Sequence, residues 1–327
     1  MTIRTESARS EVRPEELEQY RRELTGYCYR MLGSIFDADD AVQETMLRAW
    51  RGLDDFEGRS AARSWLYRIA TNVCLDMLRS RRRRARPMDL GPSSTAETPI
   101  GPMLPEHAWV QPVPDGRVLP GGGDPAELAA QRDTVRLAFV AALQHLPARQ
   151  RAVLILREVL CWHATEVADL LDTSVASVNS ALQRARATLA ARDTASTVRP
   201  QPMPADQQRL LARYVDAFQR YDIDSLVSLL HEELVMSMPP YDFWLRGPAN
   251  MGRWLLGQGI GCRGSRLVAT AANGCAAFGS YRIDPAGGHT PFAIQVIEVS
   301  GDRITGHHNF VDPELFAPFG LPDHLDP

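Results

Sequence analysis

The stretch SWLYRIATNVCLDMLRSRRRR, residues 64–84, decides how the N-terminal part of this chain folds. Apolar residues recur in it at spacings of three and four, which predicts a helix with one buried face. A polar series lies on a different face of that helix: Arg68, Asn72, Asp76 and Arg79. The helix then runs into four arginines, whose charges repel one another unless an anion lies near them: Arg81, Arg82, Arg83 and Arg84. For such a run alone, a solvated helix end is the simpler interpretation.

The composition is that of a globular protein with two or three domains. The chain has 327 residues, of which 44% are hydrophobic and 23% are charged, and its net charge is -4. All 36 basic residues are arginine, whose side chain favours bidentate hydrogen bonds to phosphate and guanine. Five cysteines are scattered singly, which predicts free thiols in a reducing cytoplasm. Because no signal peptide or membrane-spanning run is predicted, we expect a cytoplasmic protein without membrane contact.

Two more helices are predicted before the opening stretch, over residues 14–32 and over DADDAVQETMLRAWR, residues 37–51. The second helix is predicted to bury Ala38, Ala41, Val42, Thr45, Ala49 and Trp50. Its other face is acidic, which indicates either a capped surface helix or a docking face for a basic partner. The spacing alone favours the capped surface helix. Residues 14–84 are therefore predicted to form a small all-α domain.

Residues 85–125 are predicted to be a flexible linker. The segment is rich in proline, contains a run of three glycines and has no apolar periodicity. A segment of this length and composition is expected to be extended or mobile. Trp109 is an exception, because an aromatic side chain within a linker often docks on a surface.

Helices resume within residues 126–193. An amphipathic helix is predicted over residues 128–143, and another begins at or near Pro147. A short helix over residues 165–171 then leads through a tight polar turn into a longer helix that begins at Val175. Two helices joined by so short a turn, with a third helix before them, predict a helix-turn-helix domain.

The longer helix has the two faces expected of a recognition helix. Its buried side is predicted to be Val175, Val178, Leu182 and Leu189, and Ser174 is suited to cap its first turn. Its open face carries small polar residues first and arginines later: Ser177, Asn179, Ser180, Gln183, Arg184 and Arg186. Small residues let such a helix enter the major groove, and the arginines can reach phosphate or guanine. A plain helical hairpin is the alternative, and the three-helix context favours DNA binding.

Residues 205–327 follow a proline-bearing joint, residues 194–204, and are predicted to form an α+β cone, because helices come first and antiparallel strands follow. Such cones enclose a pocket, and the side chains expected to line it are Met236, Tyr241, Trp244, Phe278, His307, Asn309 and Asp312. We interpret them as core or ligand-sensing residues rather than catalytic ones, because no acid–base pair stands out by spacing. His307 and His308 are a poor chelating pair, because neighbours on a strand point to opposite faces. We expect neither a metal nor a cofactor.

The two helical parts resemble the two essential domains of bacterial RNA polymerase sigma factors of the extracytoplasmic-function (ECF) group. DADDAVQETMLRAWR resembles the family's core-polymerase-binding helix, and SWLYRIATNVCLDMLRSRRRR resembles the helix that reads and opens the -10 element. LPARQRAVLILREVL and HATEVADLLDTSVASVNSALQRARATL resemble the domain that reads the -35 element. The cone resembles the SnoaL-like, nuclear-transport-factor-like fold, on the element order and on YDFWLRGPANMGRWL and HHNFVDPELF.

The resemblance implies a role for each set of residues. The polymerase-binding residues would be Asp39, Asp40, Gln43, Glu44 and Arg48. The -10 contacts would be Trp65, Tyr67, Arg68, Asn72, Asp76, Arg79, Arg81, Arg82, Arg83 and Arg84. The -35 contacts would be Ser174, Ser177, Asn179, Ser180, Gln183, Arg184 and Arg186. The linker would thread the polymerase between the two domains.

The sequence therefore predicts a multidomain transcription initiation factor, with two all-α sigma domains followed by an α+β SnoaL-like domain. Its expected partners are core RNA polymerase and promoter DNA, with a small-molecule ligand as a further candidate for the C-terminal domain, which would modulate activity. The main alternative is a small-molecule cyclase or isomerase fused to a DNA-binding module. A dimeric helix-turn-helix repressor is disfavoured, because it leaves the helix over residues 64–84 unexplained.

Overall fold

The chain forms two compact units in the computed structural model. The residues that the structure describes are 14–53, 62–79, 83–191 and 205–327. Among these, the helical unit contains residues 14–32, 36–79 and 146–191, and the α+β unit contains residues 33–35, 83–145 and 205–327. The predicted joint, residues 194–204, lies outside the described residues. No helix in the described ranges is long and apolar enough to span a membrane.

The N-terminal part of the helical unit is built on four helices: α1 Pro14–Leu17, α2 Arg21–Leu32, α3 Ile35–Arg51 and α4 Ala62–Leu78. The helix predicted over residues 14–32 is interrupted by a 3-10 turn, Glu18–Tyr20. Helices α2 and α4 pack through apolar side chains, and the Tyr27 hydroxyl lies 2.7 Å from the Thr71 hydroxyl between them. This pairing satisfies two buried polar groups that would otherwise destabilise the core.

Trp50 corrects one detail of the predicted α3 core face. Ala38, Ala41, Val42, Thr45 and Ala49 are buried as predicted, but the Trp50 side chain is 64% exposed. Trp50 follows the exposed Gln43 by seven residues, about two helical turns, so it lies on the same side of α3 as Gln43.

Residues 83–124, called the connector below, differ from the predicted flexible linker. They contain two 3-10 turns, Pro87–Asp89 and Glu106–Ala108, and the short helix α5 Asp115–Val118. Trp109 is buried, which confirms that this aromatic docks. The helix predicted over residues 128–143 is split into α6 Pro125–Asp133 and α7 Leu137–Leu143. The connector, α6 and α7 all belong to the α+β unit.

The helix-turn-helix lies in the helical unit. Its helices are α8 Ala148–Leu154, which continues into a π-helical turn at Ile155–Val159, then α9 Ala164–Leu170 and α10 Val175–Ala190. The buried stripe of α10 consists of Val178, Leu182 and Ala185. Val175 is predicted to be buried but is 38% exposed. It is the first residue of α10 after the Ser174 cap and lies three residues before Val178, the first buried residue of the stripe.

The C-terminal part of the α+β unit begins with two helices, α11 Ala205–Arg220 and α12 Ile223–Ser228. A third helix, α13 Pro248–Leu256, follows the first two strands and leads into a 3-10 turn, Gln258–Cys262. The strands are β1 Leu230–Ser237, β2 Trp244–Arg246, β3 Arg266–Ala272, β4 Cys275–Ile283, β5 His289–Ser300 and β6 Arg303–Phe310.

The six strands form one sheet in the order β2-β1-β6-β5-β4-β3. All neighbours are antiparallel except β1 and β6, which are parallel. The sequence predicts antiparallel strands, and the parallel β1–β6 pair corrects this prediction. A long connection through β2, α13 and β3–β5 separates β1 from β6, and parallel pairing requires a long connection of this kind. One sheet face packs against α11, α12 and α13 and forms the main apolar core of the unit. We call this the inner face.

Candidate nucleic-acid interface and the C-terminal polar network

The polar series of α4 lies on the helix surface. Arg68, Asn72, Asp76 and Arg79 are all exposed, whereas Leu66, Ala70, Val73 and Cys74 on the other face are buried. The Arg68 guanidinium donates to the Asp169 carbonyl oxygen at 3.1 Å, and Arg79 lies 3.3 Å from the Asp76 carboxylate. An exposed ion pair is weak in water, so Asp76 and Arg79 can exchange their mutual contact for another partner, and Asn72 is exposed beside them.

Tyr67 does not belong to this surface. Its ring is fully buried, with centroids 5.1 Å from Tyr27 and 5.0 Å from Trp162. The Arg63 guanidinium covers both the Tyr67 and the Trp162 rings, at 5.3 and 5.5 Å. Burial raises the pKa of the Tyr67 hydroxyl well above its ordinary value. Tyr67 is therefore a core residue, and the expectation that it contacts DNA is wrong for this structure. Trp65, two residues earlier, is half-buried.

The arginine run divides into different environments. Arg81 and Arg82 lie outside the described residues, and Arg83 is exposed with its guanidinium 2.6 Å from His145 Nδ1. Arg84 is buried and donates to the carbonyl oxygens of Glu106 and Trp109, at 2.9 and 2.7 Å. Arg84 therefore holds the connector backbone, and the expectation that it contacts phosphate is wrong for this structure.

The open face of α10 is as the sequence predicts. Every expected -35 residue is exposed: Ser174, Ser177, Asn179, Ser180, Gln183, Arg184 and Arg186. The Ser174 hydroxyl accepts from the Ser177 backbone N–H at 3.2 Å, which caps α10. Arg186 is paired with Glu158 at 2.5 Å, whereas Arg184 has no ion-pair partner within the described part of the chain. The two arginines thus differ in how freely they can reach a ligand.

The acidic face of α3 is also accessible. Asp40, Gln43 and Arg48 are exposed, and Asp39 and Glu44 are half-buried. Arg48 lies 2.6 Å from Glu44 one turn earlier, an i,i+4 pair that supports the helix.

The inner face of the C-terminal sheet carries a directed chain of buried hydrogen bonds. Asn309 donates its amide to His307 Nδ1 at 2.8 Å, and His307 Nε2 lies 2.7 Å from the Tyr214 hydroxyl. The Tyr214 hydroxyl in turn donates to Gln295 Oε1 at 2.7 Å. Only a neutral imidazole, protonated on Nε2, fits this direction of donors. Burial, followed by the neighbouring His308, lowers the pKa of His307 to about 3, which agrees with a neutral ring.

Four of the expected pocket residues share this inner face: Met236, Phe278, His307 and Asn309. Tyr241 packs at the edge of the same core. Trp244 pairs with Ser237 on the opposite face and donates its indole N–H to the Gly91 carbonyl oxygen at 3.0 Å, so it holds the connector instead. Asp312 is half-buried and accepts from the Glu314 backbone N–H at 3.0 Å, as the cap of a 3-10 turn.

Sequence reasoning missed two members of the chain of hydrogen bonds, Tyr214 and Gln295. Tyr214 lies on the apolar face of α11. Because a buried tyrosine hydroxyl usually has a hydrogen-bond partner, the sequence could have indicated a polar residue opposite it. His308 points away from His307, with Nδ1 2.8 Å from the Ser237 hydroxyl. The two adjacent histidines therefore do not converge on one point.

The neutral His307 makes the stability of the α+β unit depend on pH. A histidine in the unfolded chain has a pKa of about 6.5. Below that pH it is protonated in the unfolded chain, whereas His307 stays neutral in the folded protein. The free energy of unfolding should therefore fall as the pH drops from about 6.5 towards 3, by about 1 kcal/mol between pH 7.5 and 5.5. Urea unfolding of the full chain at both pH values measures this loss. In His307→Gln the loss should be smaller by that amount, and an equal pH dependence in both proteins would contradict the assignment.

Comparisons with known proteins show which family the chain belongs to. Residues 17–84 match the family model Sigma-70 region 2, and residues 136–189 match Sigma-70, region 4. The chain is 46% identical over 313 residues to the ECF RNA polymerase sigma factor SigG of Mycobacterium tuberculosis (strain H37Rv), which covers 94% of this chain and 83% of SigG. It is 28% identical over 316 residues to SigJ of the same strain, covering 92% of each chain. The crystal structure of M. tuberculosis SigJ matches with a TM-score of 0.59 at 22% identity, over 95% of this chain and 100% of that one.

The protein is thus a multidomain sigma factor, with Sigma-70 regions 2 and 4 in its helical parts. More narrowly, the chain belongs to the ECF RNA polymerase sigma factors, which direct promoter recognition and the initiation of transcription. The predicted fold class is confirmed in its architecture: two helical sigma regions are followed by an α+β domain. The alternative of a cyclase with a DNA-binding module is not favoured, because the SigG alignment extends across the C-terminal domain.

Proposed function

We propose that this sigma factor meets promoter DNA through the exposed faces of α4 and α10, and core RNA polymerase through the acidic face of α3. The observation that carries the proposal is the separation of faces on α10, where the whole polar series is exposed and Val178, Leu182 and Ala185 are buried. Because sequence is read by side chains that reach base edges, such a face is suited to the -35 element. We further propose that the protein acts in the cytoplasm.

We propose that the C-terminal domain regulates initiation by holding the connector. The connector backbone is bound by β2 and by the 3-10 turn that follows α13. Ser94 N–H donates to the Trp244 carbonyl oxygen at 2.8 Å, and the Gln258 amide donates to the Ala96 and Thr98 carbonyl oxygens, both at 2.9 Å. Ala96 is buried in the main core of the unit. These contacts join backbone to backbone or side chain, so they fix the path of the connector.

The turn between β3 and β4, which we call the clasp, binds the end of the connector. The β3–β4 hairpin turns at Asn273 and Gly274, both with positive φ. The buried Asn273 side chain accepts from Val113 N–H at 3.0 Å and donates to the Val135 carbonyl oxygen at 2.6 Å. Gly274 N–H donates to the Asp115 carboxylate at 2.8 Å. One turn of the C-terminal domain thus binds the chain on both sides of α6.

The clasp gives the C-terminal domain a means of control. A sigma factor's connector is expected to thread the polymerase, and a connector held by Trp244, Gln258 and Asn273 is not available for that path. Release would have to precede or accompany holoenzyme assembly. A ligand that binds the docked form better than the released form would inhibit, and the opposite preference would activate.

The regulatory proposal predicts a specific effect of Asn273→Gly. Glycine tolerates the positive φ but loses both buried hydrogen bonds, so connector release should become about 5- to 100-fold more frequent. Tryptic cleavage of the native full chain at Arg117 and Arg132 measures this release, and promoter-dependent transcription should change with it. The matched control is Asp302→Gly in the exposed β5–β6 turn. If Asn273→Gly and the control are cleaved equally and transcribe equally, the clasp does not regulate.

We also propose that the C-terminal domain senses a ligand and does not catalyse. Both ring nitrogens of His307 are engaged, by Asn309 and by Tyr214, which leaves no free base on the inner face of the sheet at that residue. A general base needs an accessible lone pair within reach of its substrate. Turnover of small-molecule substrates by the full chain, abolished in His307→Gln, would contradict this proposal.

A further inference from the structure

The edge of the C-terminal sheet near β3 carries an arginine with no acidic partner. The Arg282 guanidinium carbon lies 3.3 Å from the centre of the Phe292 ring, and its Nη2 donates to the Cys262 sulfur at 3.6 Å. Its Nε is buried and has no acceptor. No carboxylate within the described ranges lies at ion-pair distance from this guanidinium. A half-buried guanidinium without a carboxylate partner keeps its hydrogen-bonding capacity for an anion.

A second unpartnered polar group lies beside it. Ser265 immediately precedes β3, whose first residue, Arg266, pairs with Tyr281, and continuing this register by one residue brings Ser265 opposite Arg282. Residues directly opposite on antiparallel strands project from the same face with Cβ atoms about 5 Å apart. Ser265 is 2% exposed, and its hydroxyl has no hydrogen-bond partner. Two buried donors, Arg282 Nε–H and the Ser265 hydroxyl, thus lie on one face at the end of one strand pair.

The turn at Gly261 leaves the end of the Arg282 guanidinium uncovered. A Cβ atom built on Gly261 would have the Arg282 guanidinium as its three nearest neighbours, at 3.7 to 3.8 Å. Gly261 is exposed, so the absence of a side chain there keeps the guanidinium reachable from solvent. The exposed Arg263 adds a second guanidinium nearby, 5.3 Å from the centre of the Tyr221 ring. Like Arg282, Arg263 has no acidic partner in the described part of the chain.

We propose that Arg282 and Ser265, with Arg263 at the rim, form a binding site for a small oxyanion. The planar guanidinium fork matches a carboxylate or phosphate in geometry, and the anion would satisfy both Arg282 Nε–H and the Ser265 hydroxyl. General attraction does not explain such a site, because residues 194–327 carry 10 arginines and 14 acidic residues and repel anions overall. The site is separate from His307, and it does not depend on the roles proposed for α4, α10 or the connector.

Arginine Nε–H resonances of the 15N-labelled full chain test the proposal directly. The Arg282 resonance is assigned by its absence in Arg282→Lys. It is then followed during additions of sodium phosphate, sodium acetate or sodium chloride at matched ionic strength. We expect a saturable shift with phosphate or acetate and none with chloride. The anion that binds more tightly shows whether the natural ligand carries a phosphate or a carboxylate.

Three variants separate the site from surface charge. Ser265→Ala removes one donor and should weaken binding about tenfold. Gly261→Ala keeps every charge and covers the guanidinium, so it should weaken binding to a similar extent, since Gly261 has no positive φ. Gly122→Ala, where a Cβ would meet nothing within 4 Å, is the matched control and should bind normally. The proposal is overturned if neither anion gives a saturable shift, if chloride gives the same shift, or if both site variants bind like the control.

Discussion

Replacing Asn72 and Asp76 together by alanine is expected to leave binding of core polymerase and closed-complex formation near normal and to reduce strand opening by tenfold or more. Both side chains are exposed on α4, one turn apart. An unstacked base costs a few kcal/mol, and the protein must repay this through contacts that exist only after opening. Permanganate reactivity of unpaired thymines around the -10 element measures the open complex.

A matched control is available on α11. Asp206 forms an exposed i,i+3 pair with Arg209, as Asp76 does with Arg79, and Gln208 is an exposed neutral neighbour. Asp206→Ala with Gln208→Ala removes the same kinds of group from a helix outside the sigma regions. Thymine reactivity that is undiminished in the α4 variant, relative to this control, would mean that the α4 series is only a solvated face.

The second large effect is expected at Arg184. Its side chain is exposed and without an ion-pair partner in the described residues, whereas Arg186 must first leave Glu158. If Arg184 makes a bidentate hydrogen-bonding contact with a base, Arg184→Ala should weaken promoter binding by the holoenzyme by about 1–3 kcal/mol, or roughly 5- to 150-fold. Arg186→Ala should weaken it less. Equilibrium binding to promoters with an intact or a scrambled -35 element measures both.

The loss in Arg184→Ala should disappear on the scrambled promoter, because a base contact has no correct base to lose there. A loss of the same size on both promoters would assign Arg184 to phosphate. Arg213→Ala, an exposed arginine on α11, is the control for a general change in charge. No loss relative to Arg213→Ala on either promoter would remove Arg184 from the interface.

Local periodicity predicted the helices and most of their faces. On α10, spacings of four and three between Val178, Leu182 and Ala185 set the buried stripe and leave the polar residues outside. The same rule could have excluded Tyr67 from the DNA face. Tyr67 precedes the buried Ala70, Thr71 and Cys74 by three, four and seven residues, so it belongs to their stripe.

Other features depend on residues far away in the sequence. The burial of Arg84 rests on two carbonyl oxygens 22 and 25 residues later. The docking of the connector rests on contacts such as Trp244 with Gly91, 153 residues apart, and Asn273 with Val113, 160 residues apart. A proline-rich segment has no period that would report an apolar or hydrogen-bonded surface elsewhere, so composition alone indicated mobility. The oxyanion site likewise depends on the β3–β4 register, which places Ser265 beside Arg282.

The docked connector also affects how this architecture can be taken apart. Ala96 is a member of the C-terminal core, and Val113 is fully buried beside the β3–β4 turn. A chain shortened before residue 205 would carry these groups into water with nothing to cover them, and poor solubility could then be mistaken for lost activity. If residues 205–327 alone were grafted onto another sigma factor, the apolar surface that Ala96 covers would be exposed to water. The connector and the C-terminal domain must therefore be moved or removed together, although residues 146–191 of the helical unit lie between them in the sequence.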